Sequence, residues 1–136
     1  MGDNLSPIQR SDCMRRVHGA DTTPEITVRR LLHSMGYRYG LHVKRLLGKP
    51  DIVLVSRRKI IFVHGCFWHK HRCSHGRVSP TTNSGYWDEK RRRNAERDRR
   101  NIRSLRGQGW DVLVIWECWT SGERKLQHRL KAFLER

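Results

Sequence analysis

Two apolar runs only three residues apart constrain this chain more than any other feature: DIVLV at 51–55 and KIIFVHG at 59–65. Both are continuous, β-branched and too short for buried helices, so each reads as a strand covered on both faces. The polar link SRR is short enough to make them an antiparallel hairpin. A turn centred on Arg57 and Arg58 sets Asp51 opposite His64, where facing side chains lie about 5 Å apart. An acid and an imidazole are therefore expected beside each other at one end of a buried sheet.

The rest of the chain supplies layers for that sheet. TTPEITVRRLLHSMG reads as a helix with Thr23 as N-cap, Pro24 at its first position and Gly36 as its stop. Ile26, Leu31, Leu32 and Met35 form its inward face, with Glu25 one residue from the apolar stripe. YRYGLHV is a further strand. A basic helix from about Tyr86 to Arg106 has the inward stripe Trp87, Arg91, Asn94, Ala95, Asp98, Ile102 and Leu105. WDVLVIWEC, 110–118, is another strand, and SGERKLQHRLKAFLER closes the chain as an amphipathic helix. The polar, basic residues 1–21 read as an arm, and 22–136 as one domain of order α, β, β, β, loop, α, β, α.

With 29 Lys+Arg against 13 Asp+Glu in 136 residues, the formal charge is +16. Such a field suits a polyanion, and phosphate neutralisation makes nucleic acid the expected partner. No amphipathic anchor, lipidation motif or long apolar run supports a membrane reading. Neither a signal-peptide pattern nor a transmembrane run is visible, so a cytoplasmic location is expected. In a reducing compartment the four cysteines point to metal ligation rather than disulfides.

HGCFWHKHRC, 64–73, concentrates the chemistry. Cys66, His71 and Cys73, with Cys118 at the end of a later strand, make a four-ligand set of the kind a structural zinc prefers. The alternative is that the cysteines pack as small apolar groups and the histidines are surface residues. Cys13 in the arm reads as a free thiol. In GKPD, Asp51 opens a buried strand, where a carboxylate is costly unless a partner such as a hard divalent cation meets it; the alternative is a turn Asp after Pro. Asp98 falls on the inward face of its helix, and the places three and four residues away hold Asn94, Ala95, Asn101 and Ile102, none basic. A metal-bound carboxylate, two imidazoles and a further acid suit hydrolysis of a phosphodiester.

GKPDIVLV, FVHGCFWHKHRC, NAERDRRNIRSLRGQGWDVLVIWEC and RSDCMRRVHG together resemble the very short patch repair (Vsr) endonucleases, DNA mismatch nicking enzymes associated with cytosine methyltransferases. The resemblance runs from about Arg10 to about Gly122. It implies a restriction-endonuclease-like αβββαβ core, a mixed central sheet flanked by helices, with a structural zinc site and a basic DNA-contacting N-terminal arm. It further implies that Asp51 binds magnesium, that His69 is the catalytic base and His64 a second active-site histidine, that Asp98 supports them, and that Glu25 is an active-site acid. Cys66, His71, Cys73 and Cys118 match the structural zinc ligands. Phe67 and Trp68 match an aromatic wedge inserted beside the mismatch, and Met14 an intercalating residue from the other side; a T:G wobble, already poorly stacked, is cheaper to pry apart than a regular pair.

This chain departs from its wider fold class at Phe62 and His64, where restriction-type nucleases usually carry an acid and a lysine. Val63 stands where threonine is expected: a magnesium contact through the backbone carbonyl tolerates valine, whereas one through the hydroxyl would be lost. The activity expected is single-strand nicking at T:G mismatches left by 5-methylcytosine deamination, by a monomer needing magnesium and zinc; a repair matchmaker protein is left open as a partner. The competing readings are a double-strand restriction endonuclease of the same fold and a non-catalytic, zinc-stapled DNA-binding module.

Overall fold

A computed structural model describes residues 22–66 and 84–136. The expectations for the arm, Met14, Phe67, Trp68, His69, His71 and Cys73 lie outside the described residues. Helix α1 (Thr23–Ser34) is followed by strands β1 (Gly40–Leu41), β2 (Ile52–Leu54) and β3 (Lys59–His64), helix α2 (Ser84–Gly107), strand β4 (Asp111–Trp116) and helix α3 (Glu123–Leu134). The strands form one mixed sheet in the order β1-β2-β3-β4, antiparallel except for the parallel β3–β4 pair. The long segment between β3 and β4, which contains α2, suits a crossover between parallel neighbours.

Alternation along the strands sorts the core onto two faces. Ile52, Leu54, Ile61 and Ile115 pack with Val28, Leu31 and Leu32 of α1 and Leu126, Leu130, Phe133 and Leu134 of α3. On the opposite face Val53, Ile60, Phe62 and Val112 pack with Leu105 and Ile102 of α2. All three β2 residues are buried, as are five of the six in β3, so the expectation of strands covered on both faces is met.

Several boundaries and one register differ from the sequence reading. Thr22, not Thr23, caps α1: its backbone is extended and its hydroxyl accepts from the Glu25 N–H at 3.4 Å, which moves Pro24 one place inside the helix. The face turned inward is Glu25, Val28, Leu31 and Leu32, whereas Ile26 is half-buried. The expected strand at 37–43 contracts to Gly40–Leu41, and β4 ends at Trp116, so Cys118 sits in a 3-10 turn, Glu117–Ser121.

In the β2–β3 hairpin Ile52 pairs with Ile61 and Leu54 with Lys59. Its link is longer than SRR, since Val55–Arg57 forms a 3-10 turn and Arg58 a left-handed residue at φ 53°. The turn centre thus moves towards Ser56, and Asp51 comes level with Phe62 rather than His64. Nearby, Gly48 has φ 74°, and a Cβ there would meet the Phe62 ring at 3.3 Å and Asn101 Nδ2 at 3.2 Å. That close approach lets the chain fold back under α2 before entering β2 at Asp51.

Candidate active site

Three polar side chains from separate elements converge where β2 begins. Glu25 of α1, His42 just past β1 and Asp51 just before β2 each present a ligand atom within 4.8 Å of the others. The elements explain the meeting. Leu41 pairs with Ile52, so the next step of that ladder sets His42 beside Asp51, and the His42 N–H donates to the Asp51 carbonyl at 3.1 Å. Glu25 reaches the same point because the Thr22 cap turns the first turn of α1 inward, leaving Glu25 only 2% exposed.

The two acids are held differently. Glu25 Oε2 accepts from Arg29 Nη1 at 3.0 Å and lies 3.1 Å from His42 Nε2. One Asp51 oxygen, Oδ2, accepts from the Val63 N–H at 2.7 Å. Burial foremost, then the charge of Glu25 and a hydrogen bond with it, pushes the Asp51 carboxyl up to about 7, against the Val63 N–H and His42, which pull it down. Two facing acids, Asp51 raised by its burial and by the charge of Glu25, are a donor set suited to a cation, since a hard divalent ion takes oxygen ligands and can replace a proton. The residues present therefore fit magnesium. The Val63 main chain contributes geometry of its own. The N–H and C=O of one strand residue point to the same edge, so the Val63 carbonyl faces the edge on which its N–H meets Asp51.

The other expected site residues are distributed around this centre. His64 ends β3, 6% exposed, with its ring edge-on to Trp116 at 5.3 Å and tilted to Phe62 at 5.6 Å. Asp98 is half-buried on α2 and is not part of the three-residue cluster. The inward stripe of that helix also buries Arg91 and Asn94, the latter accepting from Arg97 at 3.1 Å through Oδ1. Of the expected zinc ligands, Cys66 and Cys118 come together: the Cys118 N–H donates to Cys66 Sγ at 3.4 Å, and the Cys66 N–H donates to Glu117 at 3.3 Å. The Cys66 sulfur thus sits against the 3-10 turn that carries Cys118.

Reasoning from sequence missed His42. It falls in a segment whose only regular structure is the two-residue β1, too short to display a period. The available signal was pairing: folding YRYGLHV back on DIVLV as a second hairpin brings position 42 to position 51.

Comparison with known proteins identifies the family. Positions 2–75, a segment containing Glu25, His42, Asp51 and His64, match the family described as DNA mismatch endonuclease Vsr. The chain is 47% identical over 135 residues to the Type II nicking enzyme V.XorIIP of Xanthomonas oryzae pv. oryzae, spanning 99% of this chain and 98% of that one. To the DNA mismatch endonuclease Vsr of Escherichia coli it is 41% identical over 126 residues, 93% of this chain and 80% of the relative. A Neisseria meningitidis relative, the Type II nicking enzyme V.NmeAIP, is 40% identical over 130 residues, 96% of this chain and 92% of its own. Likeness of this extent, carried over nearly the whole length and through the carboxylate centre, places the chain in the Vsr DNA mismatch endonuclease family.

Proposed function

We propose that this protein nicks one strand of duplex DNA at T:G mismatches, the lesions left when 5-methylcytosine deaminates, by magnesium-dependent phosphodiester hydrolysis. The observation that carries the reading is the buried Glu25–Asp51 pair at the end of the sheet. Arg29 and His42 lie on Glu25, while the Asp51 carboxyl beside it stays raised, and a cation would relieve the repulsion between the two acids. The names of the relatives, a mismatch endonuclease and nicking enzymes, supply the substrate class.

Asp51 and the Val63 carbonyl are the groups that would hold magnesium, with Glu25 beside them. The ion supplies charge stabilisation at the scissile phosphate and a more acidic water. The remaining work falls to the chain's own residues. The Val63 N–H fixes the Asp51 carboxylate by one oxygen and leaves the other for the ion. A neutral imidazole, His69 with His64 in support, takes the proton of the attacking water at a ring nitrogen, and Asp98 orients the pair. Cys66, His71, Cys73 and Cys118 hold one structural zinc, which ties the segment carrying Phe67 and Trp68 to the end of β4. Those two aromatics enter the DNA beside the mismatch and Met14 from the opposite side. The protein acts as a monomer in the cytoplasm; among the described residues no helix is long and apolar enough to cross a membrane.

The test compares a T:G duplex with the fully paired duplex of the same sequence in magnesium, using wild type and Asp51→Ala. Nicking of the mismatched strand alone, lost in Asp51→Ala while DNA binding persists, is the expected result. Cleavage of both strands of paired DNA would instead make the protein a restriction endonuclease. Binding without cutting at every divalent metal would leave a DNA-binding module.

A further inference from the structure

Glu25 does not meet Asp51 by rotamer preference alone. Its Oε2 is held from two sides, by Arg29 one helical turn along α1 and by His42 from outside the helix. Arg29 is a neighbour that an acid at this helical spacing would acquire anyway. His42 is not. It adopts φ 48°, the left-handed region that is unfavourable for a residue with a Cβ. In that conformation its main-chain N–H still completes the ladder to the Asp51 carbonyl at 3.1 Å while its ring reaches Glu25 at 3.1 Å. One residue thus touches both acids of the pair, the first through its side chain and the second through its backbone. Because a carboxylate oxygen already accepting from Arg29 can only accept again, the contact places the ring proton on Nε2.

We infer that His42 is a positioning residue of the active site, whose Nε2–H holds Glu25 Oε2 so that the other Glu25 oxygen faces Asp51 and the cation bound there. His42 touches neither DNA nor metal in this role; it acts through Glu25. Without that donor Glu25 keeps the part-exposed Arg29 guanidinium and its hydrogen bond with Asp51, which hold it less firmly, and the carboxylate is freer to swing away from the cation.

The inference rests on Asp51 as a divalent-cation ligand, and the experiment separates the two. Mn²⁺ is titrated into the protein as purified, and unbound Mn²⁺ is followed by its paramagnetic resonance signal, which needs no turnover. His42→Gln keeps an N–H donor at similar reach; His42→Met matches glutamine in length and has no donor. Both carry the same left-handed backbone, so a difference between them reports the hydrogen bond and not the fold. The expected result is a Mn²⁺ affinity about 10- to 100-fold weaker in His42→Met, with His42→Gln close to wild type. A matching rise is expected in the magnesium needed for half-maximal nicking, with DNA affinity unchanged. Equal affinities in both variants, whether as tight as wild type or equally weak, would overturn the role of His42. Asp51→Asn, included alongside, abolishes this binding; if it did not, the reading of the site itself would fail.

Discussion

At the end of the sheet where β3 and β4 begin, the buried Lys59 ammonium donates to Asp111 at 2.9 Å and to the Phe133 carbonyl at 2.8 Å, and Arg136 closes a second pair of bonds on Asp111. At the opposite end, where those strands finish, Asp51 and Glu25 face each other with acids on both sides of the gap. Both ends hold charge, but the first closes on itself, whereas at the second Arg29 and His42 both lie on Glu25 and Asp51 is met by the Val63 N–H. The Lys59 end behaves as structure, pinning the last turn of α3 to the sheet. At the Asp51 end the carboxyl stays raised to about 7, the kind of perturbation that marks a working site, and the proposed cation would take the place of its proton.

Replacing one residue at a time sharpens this contrast. Asp51→Asn is expected to lower single-turnover nicking by at least about a thousandfold, because the group that holds the ion is gone. The same change should make the protein more stable at pH 8. With its folded pKa raised to about 7, Asp51 binds a proton that the unfolded chain has already released, so stability falls as pH rises from near 4 through 7. The asparagine variant loses that slope, gains on the order of a few kcal/mol above pH 7 and gains nothing at pH 4, as measured by urea unfolding without added divalent metal. An unchanged slope would break the comparison. For the wild type, nicking at sub-saturating magnesium should rise as pH passes through about 7, since the ion competes with the proton on Asp51.

Lys59→Met has the opposite signature. It removes the Lys59 donor from the Phe133 carbonyl and leaves Asp111 to Arg136 alone, at an expected cost of about 3 kcal/mol in unfolding free energy. Nicking by the folded fraction should remain, because Lys59 lies at the far end of the sheet. Asp111→Asn is milder, since Asp111 is about one-third exposed. Its pKa is lowered to about 2, first by the Arg136 hydrogen bond, so its stabilisation is present above about 4 and is lost as pH falls towards 2. The variant should be weaker than wild type by at most about 1 kcal/mol at neutral pH, with the difference gone in acid. Smallest of all is Arg92→Ala on α2, where the bonds to Glu89 and Glu96 are exposed; the thermal midpoint should not move measurably.

The same contrast explains how much could be read in advance. Asp51 stood out because an acid opening an apolar run demands a partner, and the β2–β3 hairpin announced itself by continuous β-branched runs. Its register escaped by two places, because Arg58 adopts a left-handed turn without the glycine or asparagine that usually signals one. Glu25 was placed beside the stripe rather than in it, since the shift of the cap to Thr22 rotates the helix by one residue. Lys59 gave no warning. A lysine at a strand end ordinarily snorkels to water, and only the return of α3 across that end buries it. Long-range packing decided these outcomes, and no local pattern encodes it.

The parallel pairing of β3 with β4 has a consequence for the order in which the molecule assembles. The Asp51–Val63 bond joins residues 12 apart, whereas the Lys59–Asp111 and Cys66–Cys118 contacts each span 52. Closing a longer loop costs more chain entropy, and contacts distant in sequence form late. A growing or refolding chain can therefore orient the Asp51 carboxylate within one hairpin. The contact between Cys66 and Cys118 must wait until the whole crossover has docked.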